Sequence, residues 1–216
     1  MKKFIRAEIL KIYRQKFFII ALILYFVLSV FLLTHIRENT IVSQYRFFAT
    51  ITILLLTFYQ ILSIGELQDK KIIRYYLEYI PDRYKFICYE YLKYICLYIF
   101  LNFIFCSFQV FRFDRIEQNI LIYFIIFCLY IGINMNILFY IEKTSVTIIV
   151  SSLLLWVLPN LVNFLLENKS FYSIQLFYYL SPDSFSSVTS TAIFTSSIYF
   201  VAMVLFSIIQ FVRKEY

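Results

Sequence analysis

Long apolar runs alternate with short polar connections along the chain. Each run is about 18 to 23 residues long, the length that an α-helix needs to cross about 30 Å of hydrocarbon. We therefore predict six membrane-spanning helices, at residues 17–34, 47–64, 94–111, 119–141, 144–166 and 189–211. Only Glu142 and Lys143 separate the fourth span from the fifth, which predicts a tight hairpin, and Pro159 predicts a kink in the fifth span.

Composition supports an all-α integral membrane protein and excludes several other classes. Of 216 residues, 62% are hydrophobic and only 15% are charged, far from the balance of a soluble domain. With two glycines and no GxxxxGK[ST] sequence, this stretch of chain holds no phosphate-binding loop. One histidine and four cysteines without metal-ligand spacing predict no metal site. We predict no catalytic residue and no cofactor bound by this chain.

The positive charges predict how the spans are oriented. Of the 20 Lys and Arg residues, 15 fall before the first span, between spans two and three, between spans four and five, or after the sixth. The positive-inside rule therefore places these segments and both termini in the cytoplasm. Because the basic residues lie between apolar segments, the net charge of +7 indicates contact with membrane lipid rather than with nucleic acid.

Residues 3–16 have helical spacing of apolar and basic positions. Ile5, Ile9 and Ile12 share one side, while Lys11 and Arg14 lie on another. This pattern favours a helix in the membrane interface, with its basic residues facing anionic headgroups. A simpler alternative is that the segment continues the first spanning helix as a positive-inside signal.

The segment 65–86 interrupts the apolar pattern, because nine of its 22 residues are charged. Its apolar stripe includes Ile73, Tyr76, Leu77 and Ile80, and Pro81 ends the helical pattern. These residues predict a short amphipathic helix between spans two and three. The same pattern would also suit a helix that rests on the bilayer surface.

As a whole, this arrangement resembles the membrane subunits of type-2 ABC exporters, the ABC-2 permeases. In that family an interfacial elbow helix precedes six spans, and a cytoplasmic coupling helix between spans two and three rests on a separate ATPase subunit. Residues 3–16 resemble the elbow, and residues 65–86 resemble the coupling segment. The resemblance implies that ATPase coupling involves Glu66, Lys70, Ile73, Arg74, Tyr76, Leu77, Ile80, Pro81 and Arg83.

The resemblance further implies a permease in the bacterial plasma membrane that works with a second permease chain. ATP and Mg²⁺ would bind to the partner ATPase, and no residue of this chain would perform chemistry. An amphipathic or antimicrobial peptide is the first expected substrate, in export or in self-immunity. The main alternative is a stand-alone membrane protein, either an immunity protein or a structural partner; an integral-membrane enzyme is a further alternative.

Polar residues at membrane depth are the candidates for a substrate path, because burying them in lipid is costly. The predicted path residues are Asn134, Asn136, Pro159, Asn160 and Asn163. Hydrogen bonding between helices is the alternative role for the asparagines.

The predicted topology can be tested by thiol labelling in intact cells, starting from a cysteine-free chain. Single cysteines at Lys70 and Lys214 should be protected from an impermeant reagent, whereas one at Asn168 should react. Labelling of position 70 from outside would contradict the arrangement with both ends in the cytoplasm.

Overall fold

The computed structural model describes residues 16–35, 41–69, 73, 77, 82–113, 120–141, 143–157 and 190–213. Within these residues everything except Asp82 and Lys143 is helical, and no strand occurs. The helices are α1 (Lys16–His35), α2 (Ile41–Asp69), α3 (Arg83–Phe113), α4 (Ile120–Ile141), α5 (Thr144–Ser152) and α6 (Ser190–Arg213). A π-helical turn, Leu153–Val157, follows α5 directly.

Three of the described helical stretches are long and apolar enough to cross a membrane. They are Phe48–Gln68 in α2, Arg83–Ser107 in α3 and Tyr123–Ile141 in α4. Shorter apolar stretches lie at Phe18–Val27 in α1 and Ser197–Arg213 in α6. The prediction of an all-helical chain with apolar, membrane-compatible helices is thus confirmed for the described residues, while the count of six spans stays a prediction.

Helix α4 lies at the centre of the described bundle. It packs most extensively on α6 and α2, and it also contacts α5 and α3. Residues on all sides of the middle of α4 are accordingly buried, among them Ile126, Phe127, Leu129 and Tyr130. A helix that is apolar on every side suits this position, since other helices enclose its middle.

Aromatic pairs fix the directions of the helices. Phe18 stacks on Tyr59 with ring centroids 3.8 Å apart, while Tyr25, further along α1, meets the earlier residue Phe48 of α2 at 5.9 Å. Helices α1 and α2 are therefore antiparallel. Between α2 and α3, the pairs Tyr59–Tyr94 and Phe48–Phe105 show the same reversal.

The helix ends meet in what we call the junction end of the bundle, where α2, α4 and α6 finish and α3 and α5 begin. Phe211 near the end of α6 lies 5.2 Å from Phe86 of α3 and 5.1 Å from Phe139 of α4, measured between ring centroids. The Arg83 guanidinium donates to the carbonyl of Val212 at 3.1 Å. A cation there stabilises the last turn of α6, whose carbonyls lack partners within the helix.

A close approach between α2 and α5 explains one of the two glycines. A Cβ atom built on Gly65 would lie 2.3 Å from Thr144 Oγ1 and 2.9 Å from Thr144 Cβ. Because a β carbon cannot rotate away, any larger residue at 65 would push the two helices apart.

The observed bounds differ in places from those predicted. Helix α2 continues through Glu66 to Asp69, and α3 already begins at Arg83, so both ends of the charged segment belong to long helices. The π turn 153–157 comes just before Pro159, which has no N–H to offer a preceding carbonyl. The predicted elbow at 3–16, apart from Lys16, and residues 158–189 lie outside the described residues.

The α2–α5 contact makes a testable prediction about stability. We expect Gly65→Ala to lower the free energy of unfolding by about 1–3 kcal/mol, the usual cost of overpacking. The measurement is thermal unfolding in mild detergent, with Ser145→Ala, at an exposed neighbouring position, as the control.

Thr144→Ala removes two of the three overlapping atoms, so it should recover part of the loss when combined with Gly65→Ala. Equal stability of Gly65→Ala and the parent chain would show that the helices do not need this close approach.

Candidate functional site

A buried ion pair lies on the second and third turns of α3. Glu90 is fully buried, and its Oε2 lies 2.5 Å from Nζ of Lys93, whose side chain is 12% exposed. The Lys93 ammonium also lies over the Tyr94 ring, 4.7 Å from its centroid. Glu90 stands seven residues after the first residue of α3, or about 10 Å along the helix. A charge pair this deep in an apolar bundle is a candidate for function.

Tyr94 connects this pair to α2. Its side chain is fully buried, and its ring centroid lies 5.8 Å from that of Tyr59 on α2. Neither the Tyr94 hydroxyl nor Ser63 Oγ has a hydrogen-bond partner among the described residues. One turn before Ser63 on the same helix, Gln60 donates from Nε2 to the carbonyl of Ile131 on α4 at 3.2 Å.

Helix registers place Asn134 of α4 at the same level. Tyr98 of α3 stacks on Phe127 of α4 at 4.2 Å, and α3 and α4 run in opposite directions. Asn134 is seven residues after Phe127, which returns to the same side of a helix two turns further on. Because the helices are antiparallel, the same position on α3 is seven residues before Tyr98, at Tyr91, which is next to Glu90 in the sequence. Asn134 is 1% exposed.

We call these residues the polar centre: contacts link Glu90, Lys93 and Tyr94, and helix register brings Gln60, Ser63 and Asn134 to the same level. Several of its atoms have no hydrogen-bond partner among the described residues: Gln60 Oε1, Ser63 Oγ, Glu90 Oε1, the Tyr94 hydroxyl, and both Oδ1 and Nδ2 of Asn134. Each buried polar atom left unmatched costs about 1–3 kcal/mol. So many together indicate a site rather than simple packing.

The two predicted path residues of α4 differ in their surroundings. Asn136 donates from Nδ2 to the carbonyls of Gly132 at 2.8 Å and of Met203 in α6 at 3.1 Å. Asn136 therefore joins α4 to α6, which is the alternative role given above for the asparagines. Asn134 makes no such bond and belongs to the polar centre. Pro159, Asn160 and Asn163 lie outside the described residues.

The predicted coupling residues are only partly described. Glu66 lies half-buried in the last turn of α2, and Arg83 binds the end of α6. Ile73 is 1% exposed, and Leu77 is partly buried against the bundle core. Since Ile73 packs within the chain itself, its side chain is not available to a partner. The remaining predicted coupling residues, Lys70, Arg74, Tyr76, Ile80 and Pro81, lie outside the described residues.

Sequence reasoning missed the polar centre because its members are far apart in the sequence. The third span was predicted to start at residue 94, so Glu90 and Lys93 counted as part of a solvated connection. The available signal was their i, i+3 spacing next to Tyr91 and Tyr94, which places both charges on a helix rich in buried aromatics. Comparison of the chain with protein-family models, curated proteins and solved structures gives no match.

The burial of the ion pair predicts a non-additive effect of mutation. Lys93→Met should lower the free energy of unfolding by about 3–5 kcal/mol, because it leaves a buried carboxylate without its cation. Adding Glu90→Leu should recover most of that loss, since apolar residues often replace buried pairs well.

A pair at the same i, i+3 spacing, Asp82–Lys85, provides the control, because both of its side chains are exposed. Lys85→Met should change the unfolding free energy little. The measurement is thermal unfolding of all variants in the same detergent. Additive effects at positions 90 and 93 would contradict a buried, coupled pair.

Proposed function

We propose that this chain is the membrane-spanning permease subunit of an ATP-binding cassette exporter. The chain forms the substrate path as a dimer with an identical or homologous permease chain, and a separate ATPase subunit drives it. The observation that carries the proposal is the charged connection between α2 and α3, which adjoins the junction end of an otherwise apolar bundle. A permease subunit with no phosphate-binding loop in this stretch of chain needs a surface on which a separate ATPase can act.

Contacts around the connection support a mechanical role. Ile73 and Leu77 pack on the bundle core, and Arg83, where α3 begins, bonds to the end of α6. Phe86 stacks on Phe211, which also contacts Phe139 of α4. A displacement of the connection would therefore move α3, α4 and α6 together. Small rigid shifts of packed helices are a common way to convert between two access states.

The burial of Ile73 changes which face would meet the ATPase. On the predicted helix over residues 69–80, Ile73 and Leu77 share the side that faces the bundle. In that helical register the opposite side would carry Lys71, Tyr75 and Tyr79, with Glu78 and Arg74 towards its margin. Docking would rest on two aromatic anchors, Tyr75 and Tyr79, with charges around them, a composition typical of interface hot spots. Ile73 and Leu77 would then transmit a displacement of this helix to the bundle, and would not themselves contact the ATPase.

The proposed substrate is an amphipathic peptide, which rests on the resemblance to the ABC-2 permeases. A second candidate function is a stand-alone immunity or structural protein without an ATPase. The same burial of Ile73 favours it, since a helix held by its own bundle needs no partner to cover its apolar side.

Affinity purification from the native host in mild detergent separates the two functions. We expect a stoichiometric ATPase subunit to copurify with the tagged chain. The double variant Arg74→Glu/Tyr75→Ala should lose that subunit and remain folded, because truncating an interface anchor costs about 2 kcal/mol or more.

Ile73→Ala is the matched variant on the inner side. It should lower thermal stability by about 2–5 kcal/mol, as expected for a core truncation. Recovery of no ATPase with the parent chain would favour the stand-alone protein. Full ATPase recovery with the double variant would remove residues 71–78 as the docking face.

A further inference from the structure

We propose that the polar centre is a binding site for a neutral guest that both donates and accepts hydrogen bonds. Such a guest is either water or the backbone amides of a peptide. The proposal concerns the interior of the bundle and does not require an ATPase partner. The site consists of residues of α2, α3 and α4 whose proximity the predicted spans did not indicate.

The chemistry of the guest follows from the atoms that lack partners among the described residues. Oxygen acceptors are contributed by Gln60, Glu90 and Asn134, and donors by Ser63, Tyr94 and the Asn134 amide nitrogen. A guest that could only accept or only donate would leave half of these atoms unmatched. Water and peptide amides do both.

The charges at the site favour a neutral guest. Glu90 and Lys93 form a pair whose net charge is zero. An added cation would lie near Lys93, and an added anion near Glu90, in surroundings that screen charge poorly. A neutral guest completes the bonds without this repulsion.

The location separates this group from ordinary polar residues in the bundle. Some buried hydroxyls elsewhere are satisfied: Thr57 donates to the carbonyl of Ile53 at 2.8 Å, and Tyr91 and Ser207 lie 2.9 Å apart in a hydrogen bond. Unmatched atoms also occur on Ser151 of α5 and Gln210 of α6, outside the polar centre. Glu90, Asn134 and Ser63 are 0–1% exposed, yet each keeps an unmatched atom. Their shared level in three helices makes one common guest the simplest way to satisfy them.

Thiol reactivity in nanodiscs tests the proposal on the full chain. In a background with Cys88, Cys96, Cys106 and Cys128 replaced, Ser63→Cys is exposed to a small charged methanethiosulfonate. Leu56→Cys is the matched control, since Leu56 is fully buried and two turns earlier on the same side of α2. We expect labelling at position 63 to be about tenfold faster or more, because the reactive thiolate forms where polar groups and water solvate it.

A second pair of variants guards against misfolding of the first. Asn134→Cys on α4 should also react faster than Ile131→Cys, which is equally inaccessible but apolar in the parent chain. Rates at positions 63 and 134 that equal those of their controls, in chains that remain folded by circular dichroism, would overturn the proposal.

A competition arm distinguishes the two sources of the guest. The probe is N-acetylalanine methylamide, a neutral molecule with two peptide groups. Slower labelling of Ser63→Cys in its presence, with Leu56→Cys unaffected, assigns the site to peptide amides. Fast labelling that the probe does not slow supports the site with water as its guest.

Discussion

The dominant constraint on this chain is that polar atoms surrounded by apolar side chains must find partners inside the protein. The backbone meets it by forming helices, which bond their own amides and carbonyls throughout the described residues. Buried side chains meet it in two ways. The Thr52 hydroxyl donates to the carbonyl of Phe48 in its own helix, whereas Asn136 donates to the Met203 carbonyl and so joins α4 to α6. Helix α4 takes part in such bonds towards two neighbours, through the Ile131 carbonyl to α2 and through Asn136 to α6.

The polar centre is where this solution is incomplete. The hydroxyls of Thr52 and Thr57 reach the carbonyl one turn back on their own helix, so burying them costs little. Glu90 carries a charge that no backbone carbonyl can satisfy, and only one of its oxygens meets Lys93. Asn134 has two donor hydrogens and an acceptor, more than an adjacent turn can match. Such residues lower stability, which favours a functional reason for their presence.

Sequence predicted the helical class and the approximate positions of α1, α4 and α6. In a long apolar run, the backbone N–H and C=O groups can find hydrogen-bond partners only within a helix. Sequence misplaced the start of α3, since Glu90 and Lys93 look solvated until helix packing shows them enclosed. It grouped Asn134 with Asn136 because periodicity cannot reveal which face has a partner. The contact of Gly65 with Thr144 was equally hidden, as it joins positions far apart in the chain.

The bond between Arg83 and Val212 has a consequence for biosynthesis. Helix α3 is made long before α6, and the ribosome adds about 5–20 residues each second. Until α6 arrives, the Arg83 guanidinium lacks its Val212 acceptor and Tyr91 lacks Ser207. Two long-range hydrogen bonds of α3 therefore cannot form before α6 is made. Insertion of the last helix completes both bonds, so the packing of α3 against α6 is among the last contacts of the bundle to form.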